Sequence, residues 1–203
     1  MKTIRAFLIA ILFAATVAQL ANAQALQNSA AKTYRVSKTY TTLSFTATKW
    51  MVFKEEGTFQ DYAGTLTYNP SNLSASSIDV TVQAASLDTR NSTRDGVLRS
   101  DDFFDVAKYP TLSFRSTRVA PAGADSLSVT GNLTIHGVTK QLTIPVHVIG
   151  ARVMPGIGDF AGFETTFTID RRDFGVLGTR WSGNKVAIDP DVLIHLIIGG
   201  VRD

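Results

Sequence analysis

The chain has 203 residues, with 44% hydrophobic and 18% charged, proportions of a folded domain rather than a disordered tail. It has no cysteine and a formal net charge of +3. Thiol catalysis and a disulfide framework are therefore excluded.

The N-terminus carries Lys2 and Arg5, then an apolar run from Ala6 through Ala18, then Ala21-Asn22-Ala23. A charged start, a short apolar centre and a small-residue exit predict a secretory signal peptide over residues 1–23. The run is shorter than the ~20 residues of a membrane span. Cleavage after Ala23 removes two of the three net positive charges and leaves a nearly neutral chain. Residues 24–32 are small and polar and predict a flexible lead-in. A single domain over 33–203 follows. Export without disulfides points to the bacterial periplasm.

From Thr33 onward the pattern is alternation with period two, which marks half-buried strands. Leu43, Phe45 and Ala47 share one face. Ile78, Val80, Val82 and Ala84 form the next set, then Leu112 with Phe114. Val129, Leu133 and Ile135 follow, then Leu142, Ile144, Val146 and Val148, then Phe163, Thr165, Phe167 and Ile169. The last run, Val192 to Ile198, is apolar on nearly both faces. Loops at Asn69–Asn72, Pro121–Asp125, His136–Val138 and Pro155–Asp159 separate these runs. The fold class is all-β, a sandwich or barrel.

Residues 91–105 break the alternation. A short helix is expected over about Thr93 to Ser100, with Ser92 as its cap and Asp95 in its first turn. Tyr109-Pro110 then starts the next strand, because a residue before proline prefers extended geometry.

Little here suggests catalysis. His136, His147 and His195 have no partner at zinc-ligand spacing. No nucleophile elbow, phosphate loop or dinucleotide fingerprint occurs. Asp101, Asp102 and Asp105 stand between Arg99 and Lys108, which reads as a local ion-pair and capping network rather than a metal site. Arg90, Arg94 and Arg99 surround the helix. They either pair with Asp88, Asp95, Asp101 or Asp102, or face an anionic head group. Within Arg171-Arg172-Asp173-Phe174-Gly175, an Arg-Asp pair would lock the turn and Gly175 would release the backbone. Phe45, Trp50, Phe53, Phe59, Phe103, Phe104, Phe114, Phe163, Phe167, Phe174 and Trp181 spread along the chain. In a barrel of about eight strands they would either fill the core or line a cavity.

Three stretches together resemble the YceI family of exported, lipocalin-like barrels. The first runs from Leu87-Asp88-Thr89-Arg90 through Arg94-Asp95, Leu98-Arg99-Ser100 and Asp102-Phe103-Phe104-Asp105 to Lys108-Tyr109-Pro110 and Phe114. The second is Val129 to Lys140, containing Leu133-Thr134-Ile135-His136-Gly137-Val138. The third is Ile169 to Gly175. With Gly57-Thr58-Phe59 the resemblance spans nearly all of the chain beyond the leader. Tyr40-Thr41 and Lys49-Trp50 depart from the histidines that the family often carries there.

The resemblance implies an antiparallel lipocalin-like barrel of about eight strands, with the helix inserted near 91–105. Its interior would hold a long isoprenoid lipid, either a quinone or a polyprenyl phosphate, with no catalytic residue, metal or cofactor. The phenylalanines and Trp50 would then contact the chain of the lipid, and Arg90, Arg94 or Arg99 its head group. Ten buried methylene equivalents would supply about 8 kcal/mol, near micromolar affinity before association costs. Competing readings are an accessory protein of a membrane redox complex and, behind it, an enzyme acting on a lipid or small periplasmic substrate. A homodimer is compatible with this family type, and a membrane-protein partner belongs to the redox-complex reading; a nucleic-acid partner is not expected.

Overall fold

The computed structural model describes residues 30–179 and 188–202. The signal peptide, most of the lead-in and Trp181 lie outside the described residues. Eleven strand segments are present: β1 (Lys32–Val36), β2 (Thr42–Lys49), β3 (Phe53–Phe59), β4 (Tyr62–Tyr68), β5 (Ser77–Gln83), β6 (Leu87–Asp88), β7 (Thr111–Pro121), β8 (Ser126–Ile135), β9 (Val138–Met154), β10 (Gly158–Asp170) and β11 (Ile188–Arg202). The helix α1 (Ser92–Arg99) joins β6 to β7.

The pairings resolve these segments into eight walls of a closed antiparallel barrel. β1 and β2 both pair with β11, β1 at Gly200 and Val201 and β2 from Ile188 to Ile197. They are two halves of one bent wall. β3 pairs with β2 while β4 pairs with β1, so β3 and β4 form the second wall. β5 and β6 form the third in the same way. From β7 to β11 each strand pairs with the next. The barrel is thus an up-and-down meander, and closure leaves no long edge exposed.

Side-chain alternation sets the lumen. Leu112 and Phe114 of β7 point inward, as does Val119 farther along. A register shift between Ser116 and Arg118 changes the inward parity between them. A second shift lies at Gly162/Phe163 of β10 opposite Val148 and Gly150 of β9. Period-two reading recovers the strands on each side of such bulges but not their union, so β7 and β9 are longer than expected. β3 and β4 also lay outside the expected runs. Lys54, Glu55, Glu56 and Gly57 hide the period in β3, whereas Tyr62, Leu66 and Tyr68 do alternate along β4. β1 begins at Lys32, one residue inside the expected lead-in.

The seam where β1 meets β11 depends on small residues. A Cβ on Gly200 would come within 2.7 Å of Tyr34 Cβ, and one on Gly199 within 2.5 Å of Tyr40 Cβ. Tyr34 is 1% exposed, and its hydroxyl donates to Asp159 Oδ1 at 3.4 Å. Lys32 and Arg202 also pair with Asp159, at 2.9 and 3.8 Å. Burial, together with the Asp159 carboxylate, pushes the Tyr34 phenol from 10.0 up to about 12. A folded pKa above the unfolded one stabilises the fold in full below about pH 10; that increment is lost as pH rises through about 12. Unfolding free energies measured by urea titration across this window should decline in the parent chain. They should decline less steeply in Tyr34→Phe; identical slopes would refute the linkage.

The helix forms as expected but one residue earlier, and its cap is Asn91 rather than Ser92. The Asn91 side chain accepts from the Arg94 N–H at 3.0 Å. Asp95 is 6% exposed and holds the residue that follows β6: the Thr89 N–H and hydroxyl donate to its Oδ1 at 2.9 and 2.6 Å. This ties α1 over one end of the barrel.

Candidate functional site

The barrel interior holds two adjoining chambers of about 490 Å³ and about 190 Å³. Phe45, Phe59, Leu112, Ile135, Ile169 and Ile194 line both, which makes them the waist of one continuous apolar space. The smaller chamber continues past Phe114, Phe163 and Phe167 into the body of the barrel. The larger one lies under α1, where Phe103, Phe104 and Phe174 join its lining. This volume is in the range of cavities that enclose small ligands.

Two glycines explain why a barrel rich in phenylalanine is hollow. A Cβ on Gly57 would meet Phe45 Cζ at 2.4 Å, and one on Gly131 would meet Phe114 Cζ at 2.4 Å. Each ring therefore lies against bare backbone on a neighbouring strand rather than crossing the lumen. Phe45 and Gly57 are direct cross-strand partners. An aromatic residue placed over an unsubstituted backbone position covers it while leaving the centre open. The glycine-aromatic pairing is the sequence signal for a hollow core, and it becomes readable only once strand register is known.

Polar lining collects at the α1 end: Lys49, Glu55, Asn91, Thr93, Arg94 and Arg171. Asn91 and Thr93 are exposed, so this end is the mouth. Arg94 is anchored three ways. Its Nε donates to Thr89 Oγ1 and its Nη2 to the Thr89 carbonyl, both at 2.8 Å, and its Nη1 pairs with Glu55. Arg171 donates to four backbone carbonyls: Asp189 from Nε at 3.0 Å, Val176 and Leu177 from Nη1 at 2.7 Å, and Ile188 from Nη2 at 2.8 Å. Burial pulls its proton affinity below the ordinary guanidinium value, opposed by the nearby Asp170. A guanidinium remains charged throughout the neutral range.

The expected site residues divide accordingly. Phe45, Phe59, Phe103, Phe104, Phe114, Phe163, Phe167, Phe174 and Arg94 line the space. Trp50 and Phe53 do not; they are 56% and 59% exposed at the tip of the β2–β3 hairpin. Arg90 points into solvent, its Nη2 3.7 Å from Glu56. Arg99 donates to the carbonyls of Ala85 and Leu87, which staples α1 to the third wall instead of facing the lumen. Proximity in sequence grouped the three arginines, but Arg90 precedes α1 with a left-handed φ of 61°, and the helix turns Arg94 and Arg99 in different directions. The expected Arg-Asp pair at this turn is Arg172 with Asp170, Nη2 to Oδ2 at 2.6 Å, and it holds the Asp170 carboxyl below its ordinary range. Arg171 itself reaches the mouth. Gly175 adopts φ 74°, as the turn requires.

The histidines sit apart from the lumen. His136 packs tilted against Tyr109 with centroids 4.4 Å apart, His147 Nδ1 is 3.1 Å from the Asp125 carbonyl, and His195 Nε2 is 2.8 Å from Glu164. Among the described residues no group of three metal-ligating side chains converges.

Comparison with known proteins agrees with this architecture. The chain is 45% identical over 149 residues to a UPF0312 protein of Pseudomonas aeruginosa, covering 72% of this chain and 73% of the relative. The crystal structure of Burkholderia cenocepacia BcnA superposes with a TM-score of 0.72 at 27% identity, covering 81% of this chain and 98% of that one. A polyisoprenoid binding domain from Saccharophagus degradans, implicated in plant cell wall breakdown, shares the fold with a TM-score of 0.65 at 16% identity, over 84% and 98% of the two chains. The YceI-like domain model matches residues 34–198, from the first wall through nearly all of the last. The hollow meander barrel, its helix-covered mouth and this match together place the chain in the YceI-like domain family.

Proposed function

We propose that this protein is an exported carrier that sequesters a long isoprenoid lipid in the barrel and performs no chemistry on it. The observation that carries the reading is the continuous apolar space from the α1 mouth past the Phe45 and Phe59 waist to Phe167. A slender branched hydrocarbon suits such a shape, and burial at ~0.8 kcal/mol per methylene supplies affinity without many polar contacts. The polyisoprenoid binding domain that shares this fold supports the choice of lipid. The leader-like residues 1–23 support a periplasmic location.

The mouth bears on the head group. Among the described lining residues three cations, Lys49, Arg94 and Arg171, outnumber one carboxylate, Glu55. That balance favours an anionic head such as a polyprenyl phosphate over a neutral quinone ring. Organic extraction of the purified protein followed by mass spectrometry is expected to release a polyisoprenoid. Offered both lipids, the emptied protein should take up the polyprenyl phosphate in preference. An empty barrel that takes up neither would refute the carrier reading; preference for the quinone would refute the head-group assignment.

A further inference from the structure

Lys49 and Glu55 belong to the mouth, and the hairpin between them ends in Trp50, Met51, Val52 and Phe53. These four are 56%, 86%, 74% and 59% exposed. Leu177, next to the mouth residue Val176, is 46% exposed. The rim of the cavity is thus an apolar projection.

Its backbone is held at a cost. Trp50 and Met51 have φ of 49° and 63°, and the Val52 N–H donates to the Lys49 carbonyl at 3.2 Å. Successive left-handed residues in a tight hairpin favour Asn-Gly, and bulky residues there are strained. Among the described residues the Trp50 ring contacts stay within the tip: the ring touches Phe53 edge-on at 6.3 Å, and Lys49 Nζ lies 4.1 Å from its centroid.

We propose that the β2–β3 tip docks the barrel on an anionic lipid bilayer and turns the cavity mouth toward it. The chemistry of the tip matches that surface. Tryptophan prefers the headgroup zone, and Met51, Val52 and Phe53 supply apolar area to bury below it. Lys49 and Lys54 stand on the two arms just behind the tip, where lysines meet acidic headgroups. Continuity with the mouth favours a bilayer over a soluble partner, because the cargo then passes between the membrane and the barrel without crossing water. That last point rests on the lipid-carrier reading; the docking itself does not.

The test uses the exported protein and vesicles of phosphatidylcholine with and without phosphatidylglycerol. In a Trp181→Phe background, Trp50 is the sole tryptophan. Its emission should shift to the blue on adding anionic vesicles and be quenched by brominated lipid. The double variant Trp50→Asn/Met51→Gly installs the residues that this turn prefers, so it should melt no lower than the parent. Its vesicle partition should fall about tenfold or more. The substitutions leave residues 1–23 untouched, so binding by an uncleaved leader would persist in the variant. Unchanged partition in the double variant, or Trp50 emission indifferent to vesicles, overturns the proposal. So does a tip-dependent dimer in sedimentation without vesicle binding. An empty cavity in a protein whose vesicle binding needs the tip would remove the carrier reading and leave the docking supported.

Discussion

Replacing Arg171 with methionine is expected to lower stability by about 3 kcal/mol, or roughly 6–12 °C in Tm for a domain of this size. The reason is the number of acceptors served by one guanidinium. Arg171 gathers the Val176 and Leu177 carbonyls on one side and those of Ile188 and Asp189 on the other. It clips the turn after β10 to the start of β11, the strand that closes the barrel. Methionine keeps the aliphatic stem and leaves four carbonyls without their donor. Lysine keeps the charge but has three donors on one atom rather than a planar fork, so Arg171→Lys should recover less than half of the loss. Reversible urea unfolding of the three proteins decides the point. A change smaller than about 1 kcal/mol in the methionine variant would show that these bonds are replaced by water at no cost.

The second large effect concerns the cavity. Leu112 lies on the waist between the two chambers. In a filled core, Leu112→Trp would force rotamer strain and lose about 1–3 kcal/mol. Here the added ring has an empty chamber to enter. Thermal stability should therefore hold or rise while uptake of a polyisoprenoid falls about tenfold or more, since the ring occupies space the lipid needs. Tm by calorimetry and lipid uptake by mass spectrometry are read on the same sample. A destabilised variant with normal uptake would mean that ligand does not pass the waist.

The same residues show how far the sequence could be read. Alternation along Leu142 to Val148 and Phe163 to Ile169 predicted strands, because a half-buried wall imposes period two on hydrophobicity. The break at 91–105 predicted the helix because local capping residues favour a helix start. The expectation failed locally where charge interrupted the period, as at Lys54 to Glu56 of β3, a strand that runs up to the mouth.

What the sequence determined by itself was therefore class and family: an antiparallel β-domain with one helical insertion and the YceI-like motifs that span it. Those properties rest on local patterning and on residue identity, both present in the linear chain. The open interior belongs to the folded arrangement, because it depends on Phe45 lying over Gly57 and Phe114 over Gly131 across strand pairings. The tertiary structure also separated three neighbouring arginines, leaving Arg94 at the mouth and turning Arg90 and Arg99 elsewhere. It brought in Arg171, some eighty residues away, because the last walls of a closed barrel return to the first. Trp50 and Phe53 changed sides for a related reason: a turn of three residues ends the wall there and carries them beyond the lumen.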